Sequence, residues 1–264
     1  MRTRHARRAL HAEWTKLVTV PGQLWLAVAV AGLMTGVGVL VGAVQRAPNC
    51  PVAAACPAPD TTALALSGVY VAQLAAIMMG VALVASEYQP RVILLTLAAC
   101  PRRGAVFAAK SAVGTATVCA AGAAGVAGAL AAGGALLGVR GLDTASFGDP
   151  ALQRAAAGTL LYLLLVGLLA AGLAWALRHQ AAAAGSTAAL LYGPYLISRI
   201  VPMPPHTLHA VQDLSPMTAG LAVQSAASGA GTAPLGPWAG LGVLALYTGA
   251  SLALGRVLLE YRDC

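Results

Sequence analysis

The chain has 264 residues, of which 59% are hydrophobic and only 9% are charged, and its mean hydropathy is +0.77. This composition excludes an ordinary soluble domain and indicates a membrane protein. Its apolar content comes mainly from alanine, leucine, valine and 30 glycines, which favours closely packed helices over a strand barrel. The net charge of +8 does not indicate nucleic-acid binding, because the basic residues form no continuous stripe and no aromatic residues alternate with them.

The N-terminal segment predicts a helix that lies in the membrane interface. Over residues 4–18, Leu10, Trp14 and Leu17 share one helical face, while basic side chains such as Lys16 share the other. A helix of this kind turns its basic face toward anionic headgroups. The alternative is a solvated basic tail. A signal peptide is disfavoured, because the apolar run that follows is too long and no small-residue cleavage site closes it.

Uncharged apolar windows predict six membrane-spanning helices, at residues 24–44, 67–85, 111–139, 155–177, 181–198 and 235–255. The first window contains 21 residues, or about 31 Å of helix, which matches the hydrocarbon thickness of a bilayer. Every Asp, Glu, Lys and Arg lies outside the windows, and one such charge at mid-membrane would cost about 2.5–3.5 kcal/mol. The predicted architecture is therefore an all-α polytopic membrane domain over residues 1–264.

Local features of the windows predict irregular or closely packed helices. The third window is longer than a bilayer requires and rich in glycine, so we expect its helix to be tilted or broken. Pro194 lies inside the fifth window and should kink that helix. Small-residue grooves begin at Gly32, Gly38 and Gly236, each of which is followed by another glycine four residues later. Such matches are individually weak in a glycine-rich chain.

The distribution of positive charge predicts the orientation in the membrane. An even number of spans places both termini on the same side, and that side carries twelve of the sixteen Lys and Arg residues. The opposite side carries only Arg46, Arg140, Arg154 and Arg199. Because cytoplasmic segments are enriched in Lys and Arg, both termini are predicted to be cytoplasmic, together with the polar, basic loop at residues 86–110.

The predicted external loops are residues 45–66, 140–154 and 199–234. The first contains Cys50 and Cys56, on a side where a disulfide is permitted, and the sequence leaves open whether they are bonded or remain two free thiols. The last loop is rich in proline and predicts short helices from about Ser215 and Pro216. Serine is a favoured N-cap residue, and proline suits the first helical turn.

The windows lack the groups that membrane catalysis or ion coupling would require. His206 and His209 could share one face of a helical turn, but neither has an acidic or cysteine partner nearby for a metal. Gly104 and Lys110 are spaced like a phosphate-binding loop, but Ala109 replaces the glycine required directly before the lysine. We therefore expect neither an enzyme nor a bound cofactor or metal. A secondary transporter is also disfavoured, because no carboxylate lies at mid-membrane.

Short motifs flank the predicted cytoplasmic loop. Residues 12–17 read Ala-Glu-Trp-Thr-Lys-Leu before the first span, and residues 86–88 read Ser-Glu-Tyr after the second. A proline and two arginines then close residues 96–103, Lys110 follows, and Leu-Ser-Pro at 214–216 precedes the last span. This pattern resembles the membrane-spanning permease subunits of type 2 ABC exporters, in particular the alanine-rich actinobacterial kind.

The resemblance implies a subunit in the cell membrane that pairs with a second permease copy or homologue. Separate cytoplasmic ATPase subunits would bind ATP and Mg²⁺ and would drive export of a hydrophobic or amphipathic cargo. The residues it implies for the ATPase contact are Glu13, Lys16, Glu87, Tyr88, Arg91, Arg102 and Arg103. The chain departs from the family at Arg91, where a glycine is usual, at Leu94, where an arginine is frequent, and at Pro90, which disfavours an uninterrupted helix.

A second function remains open from the residues alone. A motorless membrane scaffold or immunity protein that binds a partner or a lipid-like compound would also need no internal energy source. The protection or the assembly that such a protein provides would persist when the partner ATPase is catalytically dead. Membrane lipids are expected neighbours of the chain in either case.

Overall fold

The computed structural model describes residues 15, 21–45, 59–88, 103–146, 148–225 and 236–262, and this part of the chain is helical, without strands. The long helices are α1 (Pro21–Val44), α3 (Val69–Tyr88), α4 (Arg103–Gly128), α6 (Pro150–Leu177), α7 (Gln180–Ile200) and α10 (Pro237–Arg262). The short ones are α2 (Thr61–Ala65), α5 (Gly134–Val139), α8 (Pro205–Leu214) and α9 (Pro216–Leu221). The predicted all-α class is confirmed.

Helical segments that are long and apolar enough to cross a membrane number five in the described residues. They are Gly22–Val44, Thr61–Val84, Lys110–Val139, Pro150–Leu177 and Pro237–Leu259. Helix α7 has 21 residues but is less apolar than these five, so the count of six stays a prediction. Of the predicted interfacial helix, only Thr15 is described, and its backbone is helical.

Two aspartates fix helix starts that lie earlier in the chain than the hydropathy windows indicate. The Asp60 carboxylate accepts a hydrogen bond of 3.0 Å from the N–H of Ala63, so α2 begins at Thr61 and continues into α3 through a 3-10 turn. The Asp149 carboxylate accepts a bond of 2.8 Å from Ala151 N–H at the start of α6. Both carboxylates satisfy amide groups that the first helical turn leaves unpaired, and they complement the helix dipole.

The third long helical run is irregular but not broken, whereas its glycine content predicted a tilted or broken helix. A π-helical turn at Ala129–Gly133 separates α4 from α5, and the backbone continues in helical conformation on either side. The Cβ of an alanine at Gly42 would lie 2.9 Å from the carbonyl oxygen of Gly133, and one at Gly38 would lie 3.4 Å from the Cβ of Ala129. The irregular turn therefore packs against the Gly38 and Gly42 pair of α1.

The predicted glycine grooves are used unequally. A Cβ at Gly32, Gly36 or Gly236 would meet no other atom within 4 Å, whereas one at Gly240 would overlap the Ala219 carbonyl group. The same four-residue spacing therefore forms a close helix contact in one place and open surface in another. Spacing alone does not identify which face is packed.

Helices α3 and α6 form the centre of the bundle. Burial covers 67% and 61% of the most apolar windows in these two segments, against 17% in α1 and 28% in α10. The two central helices approach closely at Gly80 and Gly167, where a Cβ on Gly80 would overlap the Gly167 carbonyl group. Tyr162 and Trp175 of α6 are almost completely buried, so this helix supplies the largest side chains of the core.

Side-chain contacts identify the two ends of the bundle. At one end, Lys110 near the start of α4 meets Leu83 near the end of α3. At the other end, the Thr61 hydroxyl donates to the Asp143 carbonyl oxygen at 2.9 Å, close to the start of α6. We name these the Lys110 end and the Asp149 end.

Two short helices, α8 and α9, lie between α7 and α10, and α8 begins about ten residues before the predicted start near Ser215. Helix α9 begins directly after Ser215, as predicted, although the Ser215 hydroxyl is buried and makes no capping bond. Met217 is fully buried, and Leu221 is 8% exposed. Helix α9 is therefore embedded in the bundle, and the 3-10 turn Ala222–Gln224 continues it.

Candidate coupling site and buried polar cluster

Lys110 joins the two helices on either side of the predicted cytoplasmic loop. Its side chain is only 3% exposed, and its Nζ donates a hydrogen bond of 3.1 Å to the Leu83 carbonyl oxygen. The bond is favourable because its donor is a cation, and charge-assisted hydrogen bonds are stronger than those between neutral groups. A hydrogen bond to a charged group contributes about 1.5–3 kcal/mol. Lys110 therefore fixes the end of α3 against the start of α4.

The surroundings of the Lys110 ammonium are narrow and largely apolar. A cavity of about 10 Å³ lies there, bordered by Gly80, Leu83, Trp175 and Ser111, and this is enough space for about one water molecule. Phe107 packs against Trp175 with ring centroids 5.4 Å apart. Because an ammonium group in such a site is costly without a polar partner, the carbonyl contact offsets part of the cost of its burial.

The structure describes the flanks of the predicted coupling loop and not its centre. Glu87 and Tyr88 belong to the last turn of α3, and Arg103 is the first residue of α4, so the backbone places all three at the Lys110 end. Both helices thus extend into the polar segment predicted at residues 86–110. The other predicted site residues lie outside the described part of the chain: Glu13, Lys16, Arg91, Arg102, Cys50 and Cys56.

A second polar site, absent from the sequence predictions, lies inside the bundle. Gln73 of α3 is fully buried, and its Oε1 accepts a hydrogen bond from the Tyr162 hydroxyl of α6. The Gln73 Nε2 group donates to the Met217 sulfur at 3.5 Å and to the Tyr70 carbonyl oxygen at 3.4 Å. One amide therefore connects α3, α6 and α9.

Gln224, in the turn after α9, makes a further link between this segment and α6. Gln224 is 4% exposed, and its Nε2 donates to the Thr159 hydroxyl oxygen at 2.9 Å. Thr159 in turn donates to the Ala155 carbonyl oxygen at 2.7 Å. The Arg154 Nη2 group donates to the Ser225 carbonyl oxygen at 2.8 Å. We use the name buried polar cluster for Gln73, Thr159, Tyr162, Met217 and Gln224.

Helix α9 and the turn after it pack closely against the helices that carry the buried polar cluster. A Cβ at Gly220 would lie 2.8 Å from the Tyr162 ring, and one at Gly158 would overlap the Val223 side chain. All five members of the cluster are neutral, and the two amides reach across helices to their partners. The arrangement is suited to holding elements together, and it contains no nucleophile paired with a base.

One member of this cluster was detectable in the sequence. Gln73 is the only Asn or Gln within the six predicted windows, and a lone amide in an apolar helix indicates a buried interhelical hydrogen bond. Met217 and Gln224 gave no such signal, because they fall in a segment that the sequence identifies only as a proline-rich loop. Their burial depends on how α9 packs.

Aromatic side chains connect α3 to α7 near the same level. The rings of Tyr70 and Tyr195 are 6.1 Å apart, and the Arg199 guanidinium carbon lies 5.5 Å from the Tyr195 centroid. The Tyr192 hydroxyl donates to the Tyr70 carbonyl oxygen. Arg199 is exposed, and a cation–aromatic contact at an exposed site contributes about 0.5–1 kcal/mol, so this contact orients α7 more than it stabilises the fold.

Neither metal chemistry nor an established relative identifies the site. In the described ranges, no group of three or more His, Cys, Asp or Glu side chains is placed to hold a metal ion. No protein-family model matches the chain, and it matches none of the curated proteins compared with it. The similarity to type 2 ABC permeases therefore rests on the sequence motifs.

Proposed function

We propose that this chain is the membrane-spanning permease subunit of a type 2 ABC exporter in the cell membrane. Separate ATPase subunits, which bind ATP and Mg²⁺, would power the export of a hydrophobic or amphipathic cargo. The observation that carries the proposal is the hydrogen bond of 3.1 Å between Lys110 Nζ and the Leu83 carbonyl oxygen. It ties together the two helices that flank the segment where the family motifs lie.

A loop moved by an external motor needs a stiff connection to the membrane domain. Helix α3 runs from Tyr88 into the core, where it meets α6 at Gly80 and Gly167. Helix α4 runs from Arg103 past Lys110 into the same bundle. Because packed helices move as rigid bodies, force applied at residues 89–102 would be carried to the centre of the domain.

The proposal includes six spans with both termini in the cytoplasm, and α7 as the fifth of them. Helix α6 ends at Leu177 and α7 begins at Gln180, so only two residues connect them. Arg178 in this connection has a φ of 54°, the left-handed conformation common where helices end. With 21 residues and about 31 Å of length, α7 is long enough to return across a bilayer.

The partners follow from the same proposal. Glu13 and Lys16 of the interfacial segment, and Glu87, Tyr88, Arg91, Arg102 and Arg103 of the loop, would contact an ATPase subunit. A second permease copy or homologue would complete the transporter within the lipid bilayer.

The decisive experiment reconstitutes the chain with ABC ATPase subunits from its own genome, beginning with any encoded in an adjacent reading frame, and measures ATP hydrolysis and cargo export. We expect the permease to stimulate hydrolysis. We also expect Glu87→Ala, and the double change Arg102→Ala with Arg103→Ala, to abolish export without reducing membrane insertion. Arg140→Ala is the matched control, because it removes an exposed arginine that follows α5 and lies away from the Lys110 end.

Two results would contradict the proposal at different levels. Failure to form a complex with any ATPase would show that the permease assignment is wrong. Normal export by the Glu87 and arginine variants would refute only the coupling residues. The chain could also protect the cell or assemble with its partner when the ATPase is catalytically dead. That result would instead favour the motorless scaffold or immunity protein.

A further inference from the structure

A cavity of about 370 Å³ lies at the Asp149 end of the bundle. Its walls come from α2, from the π turn with α5, from the segment after α5 and from the first turn of α6. Residues that define these walls are Thr61, Thr62, Leu130, Gly134, Thr144 and Leu152. The proposed coupling mechanism uses none of them.

Small side chains and the irregular turn create this space. Ala131, Gly134 and Ala135 line the cavity, and a Cβ at Gly134 would meet no atom within 4 Å. The π turn widens the helix immediately beside them. Ala131, Ala135 and Gly138 are exposed, so the cavity opens to the surface of the chain, and single-turn π segments occur frequently at functional sites. The combination therefore indicates a binding site more than a packing defect.

The chemistry of the lining selects the ligand class. Alanine, glycine and leucine supply most of the described wall, and no charged side chain belongs to it. Thr62, which is 4% exposed, and Thr144 supply hydroxyl groups, while the Thr61 hydroxyl is already bonded to the Asp143 carbonyl oxygen. The described wall therefore offers an ionised ligand no counter-charge in exchange for the water that it displaces.

The size of the cavity further restricts the ligand. Sites for small molecules usually measure about 300–1,000 Å³, so this cavity falls near the lower limit. A cavity of this volume with a largely apolar wall has room for a single alkyl chain. We propose that the cavity binds one alkyl chain of an uncharged amphiphile, with the threonines near its hydroxyl or ester group.

The proposal is independent of ATP-driven transport and can be tested on the reconstituted chain alone. The probe is a medium-chain alcohol that carries a photoreactive diazirine, added to vesicles that contain the protein. We expect saturable labelling of residues 130–138, with competition by the unlabelled alcohol and none by the corresponding alkyl trimethylammonium. A phosphatidylcholine with the diazirine in its acyl chain distinguishes a bilayer lipid from a free amphiphile as the source.

Filling the cavity should abolish the specific labelling. We expect Gly134→Leu to weaken probe binding about tenfold, equivalent to about 1.4 kcal/mol. Gly36→Leu is the matched control, since its Cβ also meets open space but lies on α1, outside the cavity lining. Ala135→Phe provides a second obstruction if Gly134→Leu does not fold.

Each outcome decides the proposal. Labelling of residues 130–138 that both obstructing variants reduce and Gly36→Leu leaves unchanged would support it, whichever probe gives the labelling. Uniform labelling of all lipid-facing helices would overturn it, and so would competition by the charged analogue or labelling that neither obstruction changes.

Discussion

The Lys110 end and the buried polar cluster are both held by side-chain hydrogen bonds, but with different chemistry. At the Lys110 end, one cation bonds a backbone carbonyl oxygen between two helices. In the polar cluster, neutral amides and hydroxyls join α3, α6 and the short segment that contains α9. The first attachment depends on one charged group, and the second is shared among several neutral ones.

This difference affects how well each site tolerates the loss of a hydrogen bond and which helices can move relative to one another. An unpaired buried charge is much more costly than an unpaired hydroxyl or amide, so the Lys110 contact should resist partial opening. A network of neutral bonds can lose one member at moderate cost. We therefore expect α3 and α4 to move together, and α9 to be the more easily displaced element.

The largest effect is expected from reversing the charge at the Lys110 end. Lys110→Glu would place a carboxylate against the Leu83 carbonyl oxygen and should cost about 3–5 kcal/mol of the unfolding free energy. Unfolding in lipid nanodiscs measures this loss. Lys110→Met is the control, because it retains most of the side-chain volume without the charge and should be much better tolerated. If the Lys110→Glu variant is as stable as the original chain, the Lys110 end does not depend on its charged group more than the polar cluster depends on its neutral ones.

The next effect tests whether α9 is held by shape as well as by hydrogen bonds. Gly240→Ala would press a methyl group into the Ala219 carbonyl group and should destabilise the fold by about 1–3 kcal/mol. Gly32→Ala adds the same methyl group where no atom lies within 4 Å. It should leave the thermal transition unchanged or raise it slightly. Equal stability of the two variants would contradict the close packing of α9 against α10.

A smaller loss is expected when the central bond of the polar cluster is removed. Tyr162→Phe leaves Gln73 Oε1 without its donor and should cost about 1–2 kcal/mol, as for interhelical hydrogen bonds in membranes. Combining it with Gln73→Leu removes both polar partners, so the two changes should be less costly together than their sum. Additive losses in this double-mutant cycle would show that the two side chains do not interact.

The smallest effect should come from the edge of the polar cluster. A cycle of Thr159→Val and Gln224→Leu should yield a coupling energy of about 0.6 kcal/mol, the average for such bonds in a membrane bundle. Limited proteolysis near Ser225 provides a second readout, because weakening this bond should expose the end of the α9 segment. If proteolysis near Ser225 is unchanged and the cycle yields no coupling energy, Gln224 does not help to hold α9 in the bundle.

Several features of the fold could be predicted because they depend on local sequence. The absence of charge from long windows predicted membrane helices, since hydrocarbon tolerates few ionised groups. Asp60 and the Asp149-Pro150 pair carry recognisable helix-start signals, although hydropathy windows alone placed these starts too late. The glycine content of the third window predicted a tilted or broken helix, and the structure instead has a continuous helical run with a π turn at Ala129–Gly133.

Less of the candidate site was predictable. The motifs at residues 86–110 identified the segment, and the structure describes its two helical flanks. No sequence pattern indicated that the Lys110 side chain turns inward to the Leu83 carbonyl oxygen. A lysine at the end of a membrane helix is as readily explained by anchoring at the bilayer surface, and only the position of α3 distinguishes the two.

By itself the sequence determined that this protein is a helical membrane domain with a basic polar segment between its second and third apolar windows. The tertiary structure decided what each buried polar group contacts. Lys110 is 27 positions from Leu83, Tyr162 is 89 from Gln73, and Gln73 is 144 from Met217. Composition and periodicity act over a few helical turns, whereas these partners meet only after α3, α4, α6 and α9 have packed together.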